Sequence, residues 1–368
     1  MTSGQAPAAA LVVLIMAGGA GTRFWPASTH SRPKQLLRLI GKRSLLQQSF
    51  DRARLLAAPE RILVLTSEEL VEAVRAQLPE VPGDNVVGEP LRRDTAAAVC
   101  LGALLCRRRF GDCVMAVLTA DHRIEPGDDF ARVLHSAARV VESDPVLYTV
   151  GIPPTYPATG FGYLKRGVLA LDDDGLLHYE LQGFREKPDA ATAAAYVASG
   201  KYLWNSGMFV WRVSAILGEY DRHLPGHLEA LAEATTVEVG SIGRQALRAA
   251  FEGLSAVSVD YAIMEKAARV RTVEATFSWC DLGGWLAMEE FLGDDGGGNR
   301  VRGRVAAVDS SGNLVFNEDD DELVALLGVK DLVVVRAGHR TLVADRSRVE
   351  DLKALVRRIE DQGLTDEL

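Results

Sequence analysis

The sequence predicts an α/β fold in which a mixed, mainly parallel sheet is flanked by helices and followed by a small β-rich domain with a closing helix. Apolar, strand-like runs alternate with helical patterns along most of the chain, which is typical of a parallel sheet covered by helices. The segment GDDGGGN at residues 293–299 can neither form a core nor hold a helix, so it predicts a linker. We therefore expect a large domain over residues 1–292 and a small one over residues 300–368.

The predicted strands are short apolar runs, as expected in a sheet that is buried on both faces. They cover residues 11–16, 61–65, 85–88, 113–119, 146–152, 163–168, 177–186, 208–211 and 269–277. The predicted helices follow the 3.6-residue period and cover residues 44–56, 68–78, 94–108, 129–141, 190–199, most of 213–268, and 347–362. Ser44 and Asp94 are the expected N-caps of two helices. Short β-like pieces over residues 301–335 suit a partial left-handed β-helix or a small β-domain.

Composition narrows the class of protein. With 368 residues, 48% of them hydrophobic, the chain can bury a large core, and its net charge of -9 argues against a nucleic-acid-binding surface. The four cysteines lack the paired spacing of zinc sites and disulfide frameworks, which is typical of proteins of the reducing cytoplasm. The apolar stretch 8–17 has no basic residue before it and is too short to span a bilayer, so we expect a strand there and no membrane attachment.

A glycine-rich turn follows the first predicted strand. It comprises Gly18, Gly19, Gly21 and Thr22. Glycines let backbone N–H groups close on a phosphate chain without an intervening Cβ. Phe24 replaces the third glycine of the dinucleotide-binding pattern GxGxxG, and no GxxxxGK[ST] sequence occurs, so neither common phosphate-binding pattern fits. A run of cations without any acid among them continues from the turn and comprises Arg23, Arg32, Lys34, Arg38, Lys42 and Arg43.

The turn and its cations are similar to the signature GxGTRxxP, followed by PK, of sugar-phosphate nucleotidyltransferases, with Lys34 eleven residues after Arg23. Further stretches resemble one branch of that family, the mannose-1-phosphate guanylyltransferases, in the family's order. They are GEPLRRDTAAA at 88–98, LTADH at 118–122, TGFGYL at 159–164, FREKP at 184–188, WNSGMF at 204–209, SVDYAIMEK at 258–266 and FSWCDLGGW at 277–285. The resemblance implies a Rossmann-like nucleotidyltransferase fold and is to the short, monofunctional members of the family.

The resemblance also implies a reaction in which GMP is transferred from GTP to α-D-mannose 1-phosphate, with Mg²⁺ as cofactor and pyrophosphate as second product. Such a transfer needs no protein nucleophile, because the sugar phosphate itself attacks the α-phosphorus; the protein must hold two polyanions together and neutralise charge. Arg23 is well placed to hold the triphosphate and its leaving pyrophosphate. Lys34 would neutralise the α-phosphate or the attacking phosphate, as the second catalytic residue.

Two aspartates are the expected metal ligands. Asp121 follows the strand 113–119, at the carboxyl edge of a parallel sheet where ligands bind in open α/β folds. The resemblance makes Asp121 and Asp281 ligands of one Mg²⁺, an ion that takes few protein oxygens beside phosphates and waters. We interpret His122 as a structural neighbour rather than a ligand.

Sugar and base contacts are implied by the resemblance more than by the residues alone. The expected sugar-phosphate contacts are Gly160, Glu186, Lys187 and Asn205. The expected nucleoside contacts are Gly88, Glu89, Asp94 and Thr95. Asp94 has two open interpretations, since its carboxylate suits the N1–H and N2–H₂ donors of guanine but also the N-cap of a helix. Glu89 is the alternative guanine acceptor.

Two other functions remain compatible with these residues. One is a sibling nucleotidyltransferase that uses another sugar or base, and the other is a non-catalytic sensor of nucleotide sugars. A sensor is disfavoured because the chain has both cations and both aspartates expected for catalysis, whereas binding alone does not need all four. These residues are Arg23, Lys34, Asp121 and Asp281. We expect a cytoplasmic homodimer whose C-terminal segment packs against the catalytic domain or a second subunit.

Overall fold

The structure of the protein is a computed structural model that describes residues 11–19, 21–236 and 241–368. Its strands are β1 (Val12–Met16), β2 (Ile62–Ser67), β3 (Val86–Glu89), β4 (Val114–Thr119), β5 (Arg123–Glu125), β6 (Leu147–Ile152), β7 (Tyr163–Asp173), β8 (Leu176–Arg185), β9 (Tyr202–Arg212), β10 (Val270–Glu274), β11 (Ser278–Cys280), β12 (Gly293–Asp294), β13 (Arg300–Arg302), β14 (Arg304–Val308), β15 (Leu314–Asn317), β16 (Leu323–Leu327), β17 (Leu332–Ala337) and β18 (Arg340–Asp345). Its α-helices are α1 (Leu45–Ala53), α2 (Val71–Gln77), α3 (Asp94–Phe110), α4 (Gly127–Ser143), α5 (Ala190–Ser199), α6 (Val213–His223), α7 (Pro225–Thr236), α8 (Ser241–Gly253) and α9 (Leu352–Asp361).

The chain forms two compact units that interleave in sequence. The large unit comprises the described residues up to Gly18 together with Ser49–Ala120 and Ile124–Trp279. The small unit comprises Gly19–Gln48, Asp121–Arg123 and Cys280–Leu368. Residues 293–299, predicted to be a linker, contain β12 and a turn in which Asp295 accepts hydrogen bonds from Gly297 and Asn299. The domain boundaries on either side of that segment stay predictions.

Within the described residues, the large unit contains a nine-stranded sheet in the order β3-β2-β1-β4-β9-β6-β10-β8-β7. β8 and β9 run opposite to the other strands, so the predicted mixed, mainly parallel sheet is confirmed. β1 lies between β2 and β4, and its first four side chains are fully buried, as a strand covered on both faces requires. The helix α3 packs closely on it, since a Cβ on Gly102 would lie 2.4 Å from Leu14 Cδ2.

The predicted elements of the large unit have counterparts with shifted ends. The largest shift is at β9, predicted as 208–211 but extending back to Tyr202. Asn205 and Gly207 interrupt its apolar pattern, and pairing with β6 and β7 overrides that local signal. The helical region predicted over 213–268 contains α6, α7, α8 and a π-helix at Asp260–Met264.

The small unit contains the predicted β-rich part and its closing helix. β13, β15 and β17 pair in parallel, and β14 pairs in parallel with β16, so successive strands alternate between two sheets as in a β-helix. Val315, Leu326 and Val334 form a core in this region. The predicted terminal helix is observed as a short 3-10 helix at Arg346–Asp351 followed by α9.

A second core of the small unit contains the residues that follow the glycine-rich turn. Trp285 lies edge-on to Phe24, with ring centroids 5.0 Å apart, and contacts Phe316 at 4.9 Å. The Trp285 indole N–H donates to the backbone oxygen of Trp25 at 3.0 Å. The segment that carries Arg23 is therefore fixed to residues of the β-rich part of the same unit.

The predicted cap at Ser44 is confirmed. Its Oγ accepts from the backbone N–H of Gln47 at 3.1 Å, and the Gln47 side chain accepts from the Ser44 N–H at 3.1 Å. This reciprocal pair is a capping box, which satisfies two backbone donors at the start of α1.

Candidate active site

The glycine-rich turn is tied to the segment that carries Lys34. Gly21 has a left-handed backbone (φ +62°), and a Cβ there would lie 2.5 Å from Lys34 Cβ. Ser28 Oγ donates to Gly21 O at 2.7 Å, and Gln35 Nε2 donates to Gly19 O at 3.2 Å. The glycine and lysine of the sequence signature are thus in direct contact. By contrast, no described atom lies within 4 Å of a Cβ built on Gly19, which leaves open space beside that backbone.

We expect Gly21→Ala to lower the free energy of unfolding by about 2 kcal/mol or more, because a left-handed alanine is strained and its Cβ would displace Lys34. Urea unfolding followed by tryptophan fluorescence measures this loss. Gly19→Ala is the control, since its Cβ meets no described atom within 4 Å. Equal stability of the two variants would contradict the packing argument.

Lys34 is buried and holds two acidic residues. Its Nζ donates to Asp121 Oδ2 at 3.0 Å and to the backbone oxygen of Asp281 at 2.6 Å, and only 8% of its side chain is exposed. Burial opposes ionisation of Asp121, but Lys34 and then His122 hold the pKa of Asp121 below its ordinary value. For Asp281 burial dominates and raises the pKa, with Lys34 opposing and Asp121 adding to the rise.

These residues line one cavity of the small unit, with a volume of about 310 Å³. Its lining comprises Gly21, Thr22, Arg23, Phe24, Lys34, Asp121, His122, Asp281, Leu282, Gly283 and Lys353. Arg23 is exposed and donates to Gly283 O at 3.3 Å. Leu282 has a left-handed backbone (φ +47°) directly after Asp281, which is strain of the kind found at functional sites. The cavity gathers the four predicted catalytic and metal-binding side chains.

The donor set of the cavity fits Mg²⁺. Asp121 and Asp281 offer carboxylate oxygens, and no cluster of three or more His, Cys, Asp or Glu suited to a metal occurs among the described residues. Mg²⁺ binds through one or two carboxylates plus waters and substrate phosphates, so the two aspartates match its preference.

A second polar cluster lies in the large unit. Asn205 Nδ2 donates to Asp260 Oδ1 at 2.7 Å, and Asn205 Oδ1 accepts from Thr149 Oγ1 at 2.8 Å. Lys187 has a left-handed backbone (φ +46°) and pairs with Glu186 at 2.8 Å. The nearby Glu186 carboxylate adds to the rise in the pKa of Asp260 that burial causes.

Two members of this cluster, Gly162 and Asp260, are not among the predicted site residues. A Cβ on Gly162 would lie 2.6 Å from Glu186 Oε2, whereas no described atom lies within 4 Å of a Cβ on the predicted Gly160. Asp260 belongs to the stretch SVDYAIMEK, and its position in a π-helix, a distortion common at functional sites, is the structural signal that sequence lacks.

We expect Asp260→Asn to gain stability relative to the parent protein as pH rises. Burial, followed by the nearby Glu186 carboxylate, raises the pKa of Asp260 to about 6. The folded state therefore binds the proton more tightly than the unfolded state, and its stability falls as pH rises from about 4 to about 6. Urea unfolding should show the advantage of the variant growing by about 1 kcal/mol between pH 5 and pH 8. A difference independent of pH would contradict the shift.

The predicted nucleoside contacts lie in the large unit. Burial raises the pKa of Glu89 to about 8, and its Oε2 would lie 3.3 Å from a Cβ on Gly18. Close packing requires glycine at position 88, because a Cβ added there would lie 2.7 Å from Glu68 Cα. The nucleotide contact predicted for Gly88 has no separate structural sign among the described residues.

Asp94 is the first residue of α3 rather than its N-cap, which is Arg93. It has a left-handed backbone (φ +61°), and its Oδ1 accepts from the N–H of Thr95 at 2.7 Å. Thr95 Oγ1 accepts from the N–H of Val259 at 2.9 Å. The expected N-cap position is thus corrected by one residue, although the carboxylate still satisfies a backbone donor of the first helical turn.

Comparisons with known proteins agree with this arrangement. The family model described as Nucleotidyl transferase matches residues 12–295, and the one described as MannoseP isomerase/GMP-like beta-helix domain matches residues 303–359. A mannose-1-phosphate guanylyltransferase of Escherichia coli is 39% identical over 97% of this chain and 75% of its own length. Another, of Klebsiella pneumoniae, is 40% identical over 94% of this chain and 73% of its own length.

A solved structure also resembles the chain closely. It is described as mannose-1-phosphate geranyltransferase from Thermus thermophilus and matches with a TM-score of 0.83 and 34% identity, over 95% of this chain and 99% of that one. The identities and the extent of these matches, together with the site geometry, lead to one conclusion: this chain belongs to the nucleotidyl transferase family and, within it, to the mannose-1-phosphate guanylyltransferases.

Proposed function

We propose that the chain transfers GMP from GTP to α-D-mannose 1-phosphate, giving GDP-mannose and pyrophosphate. The observation that carries this proposal is the buried Lys34 ammonium, held between Asp121 and Asp281 in a cavity that also contains Arg23. Charges arranged in this way suit a polyphosphate better than a neutral ligand. The names of the similar proteins support guanine as the base and mannose as the sugar.

In the proposed reaction a phosphate oxygen of mannose 1-phosphate attacks the α-phosphorus of GTP in line. The bond from the α-phosphorus to the oxygen that bridges to the β-phosphate breaks, and pyrophosphate leaves with the bonding electron pair. Arg23 binds the outer phosphates and neutralises charge on the leaving group. Lys34 neutralises the α-phosphate or the attacking phosphate, and the open space at Gly19 lets the backbone approach the phosphate chain.

Asp121 and Asp281 would hold Mg²⁺, which supplies positive charge to the phosphate oxygens when it is bound. Lys34 favours the ionised form of Asp121, the form able to ligate a cation. Thr22 and Gly21 line the same cavity and are assigned to the nucleotide phosphates.

We assign sugar recognition to the cluster of Glu186, Asn205 and Asp260, which offers acceptors and donors for hydroxyl groups. Lys187 is assigned to the phosphate of the sugar, and Gly160 to the loop beside it. For the nucleoside we retain Gly88, Glu89, Asp94 and Thr95, whereas Gly18 stays with the glycine-rich turn at the phosphates. With its pKa raised to about 8, Glu89 is mostly protonated near pH 7 and can donate as well as accept a hydrogen bond.

One assay tests the reaction and its alternatives. The protein is incubated with Mg²⁺, one of GTP, UTP, dTTP or ATP, and either mannose or glucose 1-phosphate, and pyrophosphate release is measured. Release with GTP and mannose 1-phosphate is the expected result. Release only with another pair would indicate a sibling transferase, and none with any pair would indicate a sensor. Omission of Mg²⁺ should abolish release.

We further propose that the enzyme is a cytoplasmic homodimer. Val308, Leu323 and Leu327 expose apolar side chains on β14 and β16, a face that a second copy would cover. Cys100, Cys106, Cys113 and Cys280 are all free thiols, which suits a reducing compartment. None of the helices in the described part of the chain has the length and apolar character needed to cross a membrane. Light scattering should give twice the chain mass, and a monomer would refute the dimer.

A further inference from the structure

The helix α9 contributes a cation to the phosphate cavity. Lys353, in its first turn, lines the same cavity of about 310 Å³ as Arg23, Lys34, Asp121 and Asp281. We propose that Lys353 is a further phosphate-binding residue, which contacts the outer phosphates of the triphosphate and the pyrophosphate product. This assignment rests on the proposed function, and it gives the C-terminal part of the small unit a direct role in substrate binding.

The position of Lys353 is fixed by its neighbours. Leu352 is buried at 5% exposure in the core that contains Phe24 and Trp285. Beyond α9, the backbone oxygen of Glu367 accepts from the Trp25 indole N–H at 2.8 Å. Both contacts join α9 and the residues after it to the segment that follows the glycine-rich turn, so the backbone at Lys353 is held beside the cavity while its side chain is exposed.

Lys353 also differs from the other cations in its partners. Lys34 is already engaged with Asp121 and with the backbone of Asp281, and Arg23 donates to Gly283. For Lys353, the described part of the chain provides neither an ion pair nor a side-chain hydrogen bond. Its ammonium is therefore available to an incoming anion.

The bound substrate would bring an excess of negative charge to the cavity. The triphosphate, Asp121 and Asp281 together carry more negative charge than Mg²⁺, Arg23 and Lys34 neutralise, and Lys353 reduces that excess.

Binding of inorganic pyrophosphate with Mg²⁺, measured by isothermal titration calorimetry, tests the assignment directly. Lys353→Ala should raise the Kd about 10-fold, the usual worth of one hydrogen bond to a charged group, and Lys353→Arg should bind nearly as the parent protein does. Arg358→Ala, which removes an exposed cation elsewhere on α9, should leave the Kd unchanged. The Lys353→Ala effect should shrink as KCl is raised. Unchanged binding by Lys353→Ala, or no pyrophosphate binding by the parent protein, overturns the proposal.

Steady-state kinetics adds a second test. Lys353→Ala should raise the KM for GTP while the KM for mannose 1-phosphate and the melting temperature stay as in the parent protein. A change confined to mannose 1-phosphate would overturn the assignment to the outer phosphates. If the parent protein binds pyrophosphate but lacks activity with GTP and mannose 1-phosphate, the proposed function fails, whereas the role of Lys353 is still decided by the calorimetry.

Discussion

Replacing Lys34 with methionine is expected to lower kcat by about 10³-fold, the upper range for loss of one preorganised charge at a transition state. Methionine matches the length of the lysine stem but supplies neither the hydrogen bond to Asp121, 3.0 Å long, nor that to the backbone oxygen of Asp281, 2.6 Å long. The carboxylate of Asp121 and the backbone oxygen of Asp281 would then lack their shared donor. The loss should appear in kcat, since charge on the transferring phosphoryl group grows as the reaction proceeds.

A control variant and a folding measurement show whether the loss of turnover is catalytic. Lys42→Met removes an exposed lysine of the same basic segment and should leave turnover unchanged. Circular dichroism separates catalytic loss from unfolding, because a folded but inactive Lys34→Met protein is the expected product. Turnover by Lys34→Met within a few-fold of the parent protein would show that the buried ammonium has only a structural role.

Much of the fold could be predicted because its signals are local. The run Val12–Met16 is apolar on both faces, as expected for a central parallel strand. Ser44 and Gln47 have the spacing of a capping box, which the structure contains. The signature linking Gly21 and Lys34 also has a local physical cause, since a side chain at position 21 would collide with the lysine. Spacing along the chain was enough to find that pair.

The rest depends on contacts between distant parts of the chain, which leave no periodic pattern. Nothing near Trp285 in sequence indicates that it packs on Phe24. Asp260 gains its raised pKa from burial and from Glu186, and Lys353 reaches the phosphate cavity only through the packing of α9. Such residues are found once the fold brings them together, because burial and charge are properties of the folded neighbourhood rather than of a motif.

Arg23→Ala is expected to lower turnover by roughly 10²-fold or more, through loss of charge stabilisation at the leaving pyrophosphate. Arg23 is exposed at the cavity, and its hydrogen bond to Gly283 O is long, at 3.3 Å, so its removal should leave the melting temperature nearly unchanged. Arg38→Ala, at an exposed arginine of the same segment, is the control and should retain full activity. Single-turnover measurement of GDP-mannose formation locates the defect in the chemical step.

The Arg23→Lys variant tests whether position 23 needs only a positive charge or also the planar geometry of a guanidinium. A guanidinium can bind two phosphate oxygens at once, whereas an ammonium acts as a compact charge on a flexible stem. If Arg23 makes bidentate hydrogen bonds to the outer phosphates, Arg23→Lys should recover only part of the activity lost in Arg23→Ala. Full recovery would mean that charge alone suffices at this position, and near-normal turnover by Arg23→Ala would remove the arginine from the mechanism and leave Lys34 as the principal cation.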